Sequence, residues 1–197
     1  VPINLLPYDI ESAKNKLVVV TGSNSGIGKE IAKSFVDYGA KVIIACRNEQ
    51  SASEAKEYIG LNSEFIYLDL TDVDAIYKFV DEVHTRYGNI DILINNAGVL
   101  RPPFTRTKSG LELTFAVNYI GYYSLSLLMI PLMKNVLGSR VINMSSISQY
   151  SVKYINWDNI NSDKNYNKNQ IYALTNLFRM MFTIELNKRL SNSNSSI

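Results

Sequence analysis

Residues 17–30 read LVVVTGSNSGIGKE and join a short apolar run to a glycine-rich turn and an amphipathic segment. The run Leu17–Thr21 is rich in β-branched residues and predicts a buried strand, and the segment after the turn predicts a helix. Gly22 permits the sharp turn, Gly26 lets the backbone approach a pyrophosphate, and Gly28 lets the helix pack closely on the strand. The free N–H groups at the start of such a helix bind phosphate, so this stretch predicts a nucleotide-binding loop.

The rest of the chain repeats this alternation of short apolar runs and longer amphipathic segments. Further strands are predicted at Lys41–Ala45, Glu64–Leu68, Asp91–Asn95 and Arg140–Met144. Helices are predicted at about Gly26–Tyr38, Ser51–Ile59, Asp72–Tyr87, Ser109–Met133 and Gln170–Leu190. Strands that alternate with helices predict the α/β class, here a doubly wound parallel sheet of the Rossmann type in three α/β/α layers.

The composition suits one globular domain and excludes several classes of protein. The 197 residues include 20 Lys plus Arg and 18 Asp plus Glu, a net charge of +2, and 46% of them are hydrophobic. This balance argues against a nucleic-acid partner or an anionic membrane surface. One cysteine, Cys46, and one histidine, His84, exclude an internal disulfide and a Cys/His zinc site, so no metal is expected.

The apolar runs do not predict a membrane span. The longest, Ile120–Met133, is interrupted by glycine, serine and proline, and it falls short of the roughly 18–20 residues that a span needs. The first 16 residues also lack the charged-then-apolar pattern of a signal peptide. A cytoplasmic location is therefore the default expectation, with any targeting or anchor segment lying outside this sequence.

The domain organisation follows from the same patterns. We expect residues 1–15 to form an N-terminal extension and residues 16–190 to form the nucleotide-binding domain with an active-site helix. Within it, Tyr150–Asn169 is rich in Asn, Asp, Lys and Tyr and predicts a long irregular loop. Residues 191–197 (SNSNSSI) are polar and predict a flexible tail at a truncated end.

Short motifs follow several of the predicted strands. The turn spells T-G-x-x-x-G-x-G, Asn95–Gly98 spells NNAG, Asn118 lies in NYIGYY, and Ser145 and Ser146 follow the fifth strand. In this order they resemble the short-chain dehydrogenase/reductase family. The runs GSNSGIGKE and ACRN look most like its retinol-dehydrogenase-type branch. The resemblance covers residues 16–190 and implies a sheet in the order 3-2-1-4-5, with the family's later strands missing from this chain.

The resemblance implies a nicotinamide cofactor, and the end of the second strand predicts which one. An acid there would hold a ribose 2′-hydroxyl, but this chain has Cys46 followed by Arg47. A neutral residue followed by a guanidinium suits a 2′-phosphate, so NADP is the expected cofactor. Asp69 is implied to contact the adenine, with a capping role before Thr71 as its alternative. The whole implied cofactor set is Gly22, Ser25, Gly26, Ile27, Gly28, Arg47, Asp69, Asn95, Ala97 and Gly98.

The resemblance also implies a catalytic set for hydride transfer between nicotinamide and a carbonyl or alcohol carbon. Ser146 would hold the substrate oxygen, Asn118 would position a water in a proton relay, and Tyr172 would exchange the proton. The family has a lysine four residues after the tyrosine, where this chain has Asn176. Asn176 can bond the nicotinamide ribose but carries no charge. A cation about 4 Å from the tyrosine, at an effective dielectric of about 20, lowers its pKa by about three units.

Two functions are consistent with these residues. The first is an NADP-dependent oxidoreductase, an enzyme acting on a small, lipophilic carbonyl or alcohol substrate. The alternative is a catalytically impaired NADP-binding relative that acts as a sensor or interaction protein, and Asn176 motivates it. Lys168 lies one turn before Tyr172 and Arg179 two turns after it, so either can replace the charge in principle, without the family's geometry. Family analogy further implies a homodimer.

Overall fold

The sheet has the predicted topology. The computed structural model describes residues 13–133, 135–192 and 197, so most of the predicted extension and tail lies outside the described residues. Within the described part, five parallel strands form one sheet in the order β3-β2-β1-β4-β5, which confirms the prediction. They are β1 (Leu17–Thr21), β2 (Lys41–Cys46), β3 (Ser63–Tyr67), β4 (Ile92–Asn95) and β5 (Arg140–Asn143).

Strand β1 lies in the middle of the sheet and is buried on both faces. Val19 pairs with Ile43 of β2 and Leu93 of β4, and these three side chains belong to the core on one side. Val18 and Val20 point to the other side, because successive strand residues face opposite ways. Helices cover both faces of the sheet, which explains why the strands are nearly continuous apolar runs.

The first three helices agree with the predictions to within two residues. They are α1 (Gly26–Asp37), α2 (Glu49–Ile59) and α3 (Val73–Tyr87). Helix α2 begins before Ser51 because the Asn48 side chain accepts a hydrogen bond from the Ser51 N–H at 2.8 Å. Asp72 caps α3 in the same way, through the N–H of Asp74 at 2.9 Å.

The long helix predicted from Ser109 begins later and is not uniform. It consists of α4 (Leu113–Phe115), a π-turn (Ala116–Gly121), α5 (Tyr122–Met129) and a 3₁₀ turn (Ile130–Leu132). Glu112 sets its start, because its carboxylate accepts from the Phe115 N–H at 2.8 Å. A π-turn widens the helix by one residue and is frequent at functional sites.

The same helix is the segment that bears on the expectation about membrane spans. Leu113–Leu132 is 20 residues long with a mean hydropathy of 1.4, so by length and composition it could cross a membrane. Its polar interruptions are too few to lower that average. In the fold, 56% of its apolar window is buried, and Leu125 and Met129 pack in the core beneath the sheet. This packing accounts for the apolar composition.

The last helix, α6 (Lys168–Asn192), extends two residues beyond each predicted end. It packs on the long helix through aromatic pairs, among them Tyr119 with Phe178 at 5.0 Å between ring centroids. The loop predicted at Tyr150–Asn169 is irregular between two short 3₁₀ turns, Ile147–Ser151 and Trp157–Asn159, and ends where α6 begins. The Trp157 ring stacks on Phe178 at 6.1 Å. These contacts hold α6 against the long helix and the loop.

Candidate active site

A cavity of about 400 Å³ opens at the carboxyl ends of the strands. In an open parallel sheet this is the edge where ligands bind. Eight of the ten predicted cofactor residues line it, namely Gly22, Ser25, Ile27, Gly28, Arg47, Asp69, Ala97 and Gly98. Gly26 lies between two of them in the loop, and Asn95 is the exception.

The glycine loop has the backbone shape that a phosphate requires. Gly22 has φ +66°, and a Cβ there would lie 2.9 Å from the Cα of Ala97. A Cβ on Gly28 would lie 2.5 Å from the Gly22 carbonyl oxygen. Gly26 faces open space, with no atom within 4 Å of an added Cβ. The loop therefore leaves room beside the N-terminus of α1, whose free N–H groups suit a pyrophosphate.

The loop is tied to the strand beside it through Thr21. Its hydroxyl accepts hydrogen bonds from the N–H groups of Asn96 at 3.0 Å and Ala97 at 2.9 Å. The Asn96 side chain in turn donates to the Thr21 carbonyl at 2.9 Å. The NNAG segment therefore forms the second wall of the cavity and is held at a fixed distance from the first.

The end of β2 offers a cation and no carboxylate. Cys46 is buried, and burial raises the pKa of its thiol, so it stays neutral. Arg47 lines the cavity, is exposed, and makes no ion pair with any described residue. Asp69 also lines the cavity, but its Oδ1 accepts from both the N–H and the hydroxyl of Thr71 at 2.8 Å. Asp69 therefore forms a turn before α3, and the capping alternative for it is wrong because Asp72 is the cap of that helix.

Asn95 requires a correction, because the structure turns its side chain away from the cavity. It is 1% exposed and donates to the hydroxyl of Ser126 at 2.8 Å and to the side chain of Asn143 at 3.0 Å. These bonds join β4 to α5 and to β5. A buried amide needs such partners, so Asn95 supports the sheet instead of lining the path of a cofactor.

Asn118 lies in the π-turn and is hydrogen-bonded to Val99, the residue that follows the NNAG segment. Its Oδ1 accepts from the Val99 N–H at 2.8 Å, and its Nδ2 donates to the Val99 carbonyl at 3.0 Å. Its own carbonyl accepts from Arg179 Nε at 2.6 Å. Asn118 therefore holds the cavity wall through its side chain and α6 through its backbone, while the relay role stays a prediction.

The two serines after β5 make different contacts. Ser145 donates to the Asn176 carbonyl at 3.2 Å and so ties the strand to α6. Ser146 begins a 3₁₀ turn (Ile147–Ser151) and accepts from the Ser148 N–H at 3.2 Å. A hydroxyl that accepts a bond keeps its hydrogen for another partner, so Ser146 can donate to a substrate oxygen.

Tyr172 is half-buried in the first turns of α6. No hydrogen bond from a described residue engages its hydroxyl, which leaves that group available to a ligand. The guanidinium of Arg101, in the loop after the NNAG segment, lies 5.5 Å from its ring centroid. Arg101 adopts φ +52°, a left-handed conformation that is rare for a side chain of this size.

Asn176 also requires a correction. Its side-chain Nδ2 donates to the Tyr172 carbonyl at 2.8 Å within its own helix, and the residue is only 1% exposed. The amide is therefore turned back along α6 and is not free to bond a ribose. Short polar side chains often bond the preceding helical turn in this way.

Arg179 is the residue of this site that sequence analysis undervalued. Its three nitrogens donate to the carbonyls of Asn118, Met144 and Ala97 at 2.6, 3.1 and 3.1 Å. It is 5% exposed, and its guanidinium carbon lies 4.7 Å above the Tyr122 ring. The available signal was its spacing, because seven residues after Tyr172 is the same face of a helix.

The family of the chain follows from a direct match to known sequences. Residues 16–159 match the family described as short chain dehydrogenase. The chain belongs to that family. The matched region contains the glycine loop, the NNAG segment, Asn118 and both serines, so the family and the cavity geometry agree.

Within the short-chain dehydrogenase family, the chain is similar to retinol dehydrogenases. It is 34% identical to retinol dehydrogenase 14 of Mus musculus over 92% of this chain and 59% of that protein. It is 39% identical to retinol dehydrogenase 12 of Bos taurus over 89% of this chain and 57% of that protein. The chain therefore spans less than two thirds of the length of these relatives. The similarity to these relatives does not support the expected cytoplasmic location.

Solved structures show the same fold. An uncharacterized protein from Mycobacterium paratuberculosis superposes with a TM-score of 0.84 at 31% identity, over 93% of this chain and 65% of that one. A short-chain dehydrogenase/reductase from Brucella melitensis superposes with a TM-score of 0.70 at 22% identity, over 90% and 70%. The second likeness concerns the fold alone.

Proposed function

We propose that this chain is the cofactor-binding and catalytic part of an NADP-dependent oxidoreductase that acts on a carbonyl or alcohol substrate. The observation that carries the proposal is the cavity lined together by the glycine loop, Arg47 and the NNAG segment. Among the catalytic candidates, Asn118 is joined to this lining by its two hydrogen bonds to Val99. When bound, the nicotinamide donates or accepts the hydride.

The preference for NADP rests on the charges at the end of β2. A carboxylate in the position of Cys46 would repel a 2′-phosphate, and the neutral thiol does not. Arg47 has no competing ion pair among the described residues, so its planar fork of donors is available to a phosphate. The backbone of Asn48 continues the same wall.

The catalytic roles follow from which hydroxyls are left available. In the oxidation direction, Ser146 donates a hydrogen bond to the substrate oxygen, and the Tyr172 phenolate accepts the proton of the substrate hydroxyl as the hydride leaves the carbon for the oxidised nicotinamide. In the reduction direction, Tyr172 returns that proton to the carbonyl oxygen. Asn118 keeps the NNAG wall in place during both, because it bonds both backbone groups of Val99.

The surroundings of Ser146 suit an apolar substrate. Large apolar side chains are exposed there on the 3₁₀ turn and the loop that follows it, namely Ile147, Tyr150, Tyr154 and Trp157. Exposed apolar groups clustered beside a catalytic edge mark a binding surface for an apolar ligand. The names of the relatives, retinol dehydrogenases, are consistent with a lipophilic alcohol.

A specific observation also favours a second function. Asn176 is neutral, buried and bonded to its own helix, so the residue four after Tyr172 supplies neither a charge nor a ribose contact. A chain without that contribution could bind NADP and act as a sensor or interaction partner without turnover.

One pair of measurements separates the two functions. Calorimetric titration of the chain with NADPH and NADH tests the cofactor proposal, and tighter NADPH binding is expected. Turnover of the whole protein with NADP and a panel of lipophilic alcohols and aldehydes tests the reaction. Binding of NADPH without turnover in either direction would favour the sensor function over the oxidoreductase function. Equal affinities for both cofactors would refute the reading of Arg47.

A homodimer is part of the same proposal. Helices α5 and α6 expose several large apolar side chains, namely Tyr123, Leu127, Met180, Met181 and Ile184. Pairing two copies through these helices would bury them. Light scattering on the whole protein should give twice the monomer mass, and a monomer at micromolar concentration would contradict the pairing.

A further inference from the structure

The guanidinium of Arg179 is a buried charge without a carboxylate partner. Among the described residues no acidic group forms an ion pair with it, and its donors end on three backbone carbonyls. Carbonyl dipoles satisfy the hydrogen bonds of a guanidinium but do not cancel its net charge. Burial lowers the pKa of Arg179, while Tyr122 and Tyr172 act in the opposite direction. An arginine remains protonated under such conditions.

The position of this charge relates it to Tyr172. The two residues are seven apart on α6, so they share a face and their Cα atoms are separated by about 10.5 Å along the axis. Side chains of a helix point back toward its N-terminus, so the Arg179 guanidinium leans toward the turns that carry Tyr172. There its Nη1 donates to the carbonyl of Met144, two residues before Ser146.

The NNAG segment lies directly over the guanidinium. A Cβ on Gly98 would lie 3.4 Å from Arg179 Nη2 and 3.2 Å from Asn118 Oδ1. The wall therefore lies in van der Waals contact with the cation at this position. The charge is therefore placed between the wall of the proposed cofactor site and the helix face that carries Tyr172.

We propose that Arg179 is a positioning residue for Tyr172, supplying from beneath the NNAG segment the positive charge that Asn176 does not. The inference rests on the proposed function, in which Tyr172 exchanges the proton. In alcohol oxidation the substrate O–H proton passes to the Tyr172 phenolate and the hydride passes to the oxidised nicotinamide. Arg179 stays protonated throughout and stabilises the phenolate through its charge.

Other charged groups near α6 are less suited to this role. The elements packed on α6 contribute these titratable or charged side chains: Arg101, Tyr119, Tyr122, Arg140, Tyr150 and Asp158. The two cations among them, Arg101 and Arg140, are exposed to solvent, which screens their charges. Lys168 is exposed at the start of α6. Arg179 is buried, and Arg101, which stacks on the Tyr172 ring, provides a matched control.

The direct test measures the ionisation of Tyr172 without turnover. Whole protein labelled with ¹³C at the tyrosine Cζ is titrated with base, and Tyr172→Phe identifies the resonance. Arg179→Gln should raise the pH midpoint of Tyr172 by about one unit or more. Arg179→Lys breaks the three-carbonyl contact but keeps a charge, so its midpoint should stay within about half a unit of the native one. Arg101→Gln should also shift it by less than about half a unit.

These variants distinguish charge from structure. Arg179→Gln and Arg179→Lys both disturb the carbonyl contacts, so a merely structural role would move both midpoints alike. An unchanged midpoint in folded Arg179→Gln, verified by its thermal transition, would overturn the proposal. A shift as large in Arg101→Gln as in Arg179→Gln would overturn it too, because the exposed cation would then be the source.

A charge-swap variant tests the same charge a second time. The double variant Asn176→Lys with Arg179→Gln also has one buried cation on this face, so its midpoint should match the native one within about half a unit. If Arg179 contributes nothing, the new lysine should lower the midpoint by about one unit or more. That outcome would refute the inference.

The two proposals fail in different ways. The midpoint of Tyr172 requires neither cofactor nor turnover, so a rise in Arg179→Gln supports the role of Arg179 even if the whole protein turns over no substrate. Absence of turnover would count against the proposed reaction alone. Where turnover is found, the pH profile of alcohol oxidation by Arg179→Gln should move upward by the same interval as the midpoint.

Discussion

The glycine loop after β1 and the helix face that carries Tyr172 differ in the source of their positive potential. The loop uses backbone N–H groups at the start of α1, which depend on glycine geometry at Gly22 and Gly28. The helix face uses one side chain, Arg179, whose charge is held by three carbonyls. A positive potential that comes from backbone N–H groups tolerates changes of the side chains around it. One that comes from a side chain depends on a single residue. Asn176, which stands where the family has a lysine, lies on the helix face and so in the region that depends on single side chains.

The largest effect is expected where the glycine loop itself is disrupted. Gly28→Ala places a Cβ 2.5 Å from the Gly22 carbonyl oxygen, so the loop must move away from the phosphate position. NADPH affinity measured by calorimetry should fall at least about 100-fold. Gly110→Ala is the matched control, because it has φ +82° and open space for the new atom. Equal losses in both variants would show that the close packing of the loop is unimportant.

The next effect concerns the hydroxyl on the helix face. Tyr172→Phe removes the proposed proton donor and acceptor without changing the ring. Turnover of the whole protein should fall by about 10²–10⁴-fold, the size of a general acid–base contribution. NADPH affinity should not change, because the adenosine end lies elsewhere in the cavity. A variant that retains native turnover would contradict the assignment of Tyr172.

A smaller effect tests the one side chain on which the cofactor choice depends. Arg47→Ala should reduce NADPH affinity by roughly 10–100-fold, the size of a charge-assisted hydrogen bond to phosphate, and should leave NADH affinity nearly unchanged. Lys29→Ala removes an equal charge from the neighbouring helix and serves as the control. If both cofactors lose affinity equally, Arg47 supports the loop instead of recognising the 2′-phosphate.

The smallest effect comes from an exposed charge cluster far from the cavity, which gives a reference for the buried Arg179. A hydrogen bond from Tyr87, and then the charges of Lys41 and Arg86, hold the pKa of Glu64 below its ordinary value. A lowered carboxyl pKa stabilises the fold above its unfolded pKa, near 4.3, and the gain is lost as the pH falls through the folded pKa. Glu64→Gln should therefore lower the free energy of unfolding by less than about 1 kcal/mol at pH 7. Chemical denaturation near pH 3 should show almost no difference from the native protein.

The sequence predicted the sheet and the glycine loop because both follow from local patterns. The strands follow from apolar runs such as Leu17–Thr21, their order was implied by the family resemblance, and the turn geometry follows from the glycine spacing. The orientations of Asn95 and Asn176 could not be predicted in the same way. An amide side chain bonds whichever partner the tertiary fold places beside it, here Asn143 for one and the Tyr172 carbonyl for the other.

Sequence spacing placed Arg179 on the helix face of Tyr172 but could not show which groups it contacts. Its three partners are Ala97, Met144 and Asn118, which come from three separate segments of the chain. The spacing of residues along one helix does not predict contacts with three separate segments. The π-turn was missed for a related reason, because apolar residues at helical spacing predict a helix without specifying whether one turn contains an extra residue.

That extra residue sets the rotational phase between the two ends of the long helix. Each residue of an α-helix turns the next by about 100°. Asn118 must face the Val99 backbone, while Tyr122 must face Arg179 and the core. The π-turn at Ala116–Gly121 allows both orientations on one continuous helix. Regular α-helical winding of these same residues would turn either the amide or the phenol out of place, while leaving every residue type of the site intact.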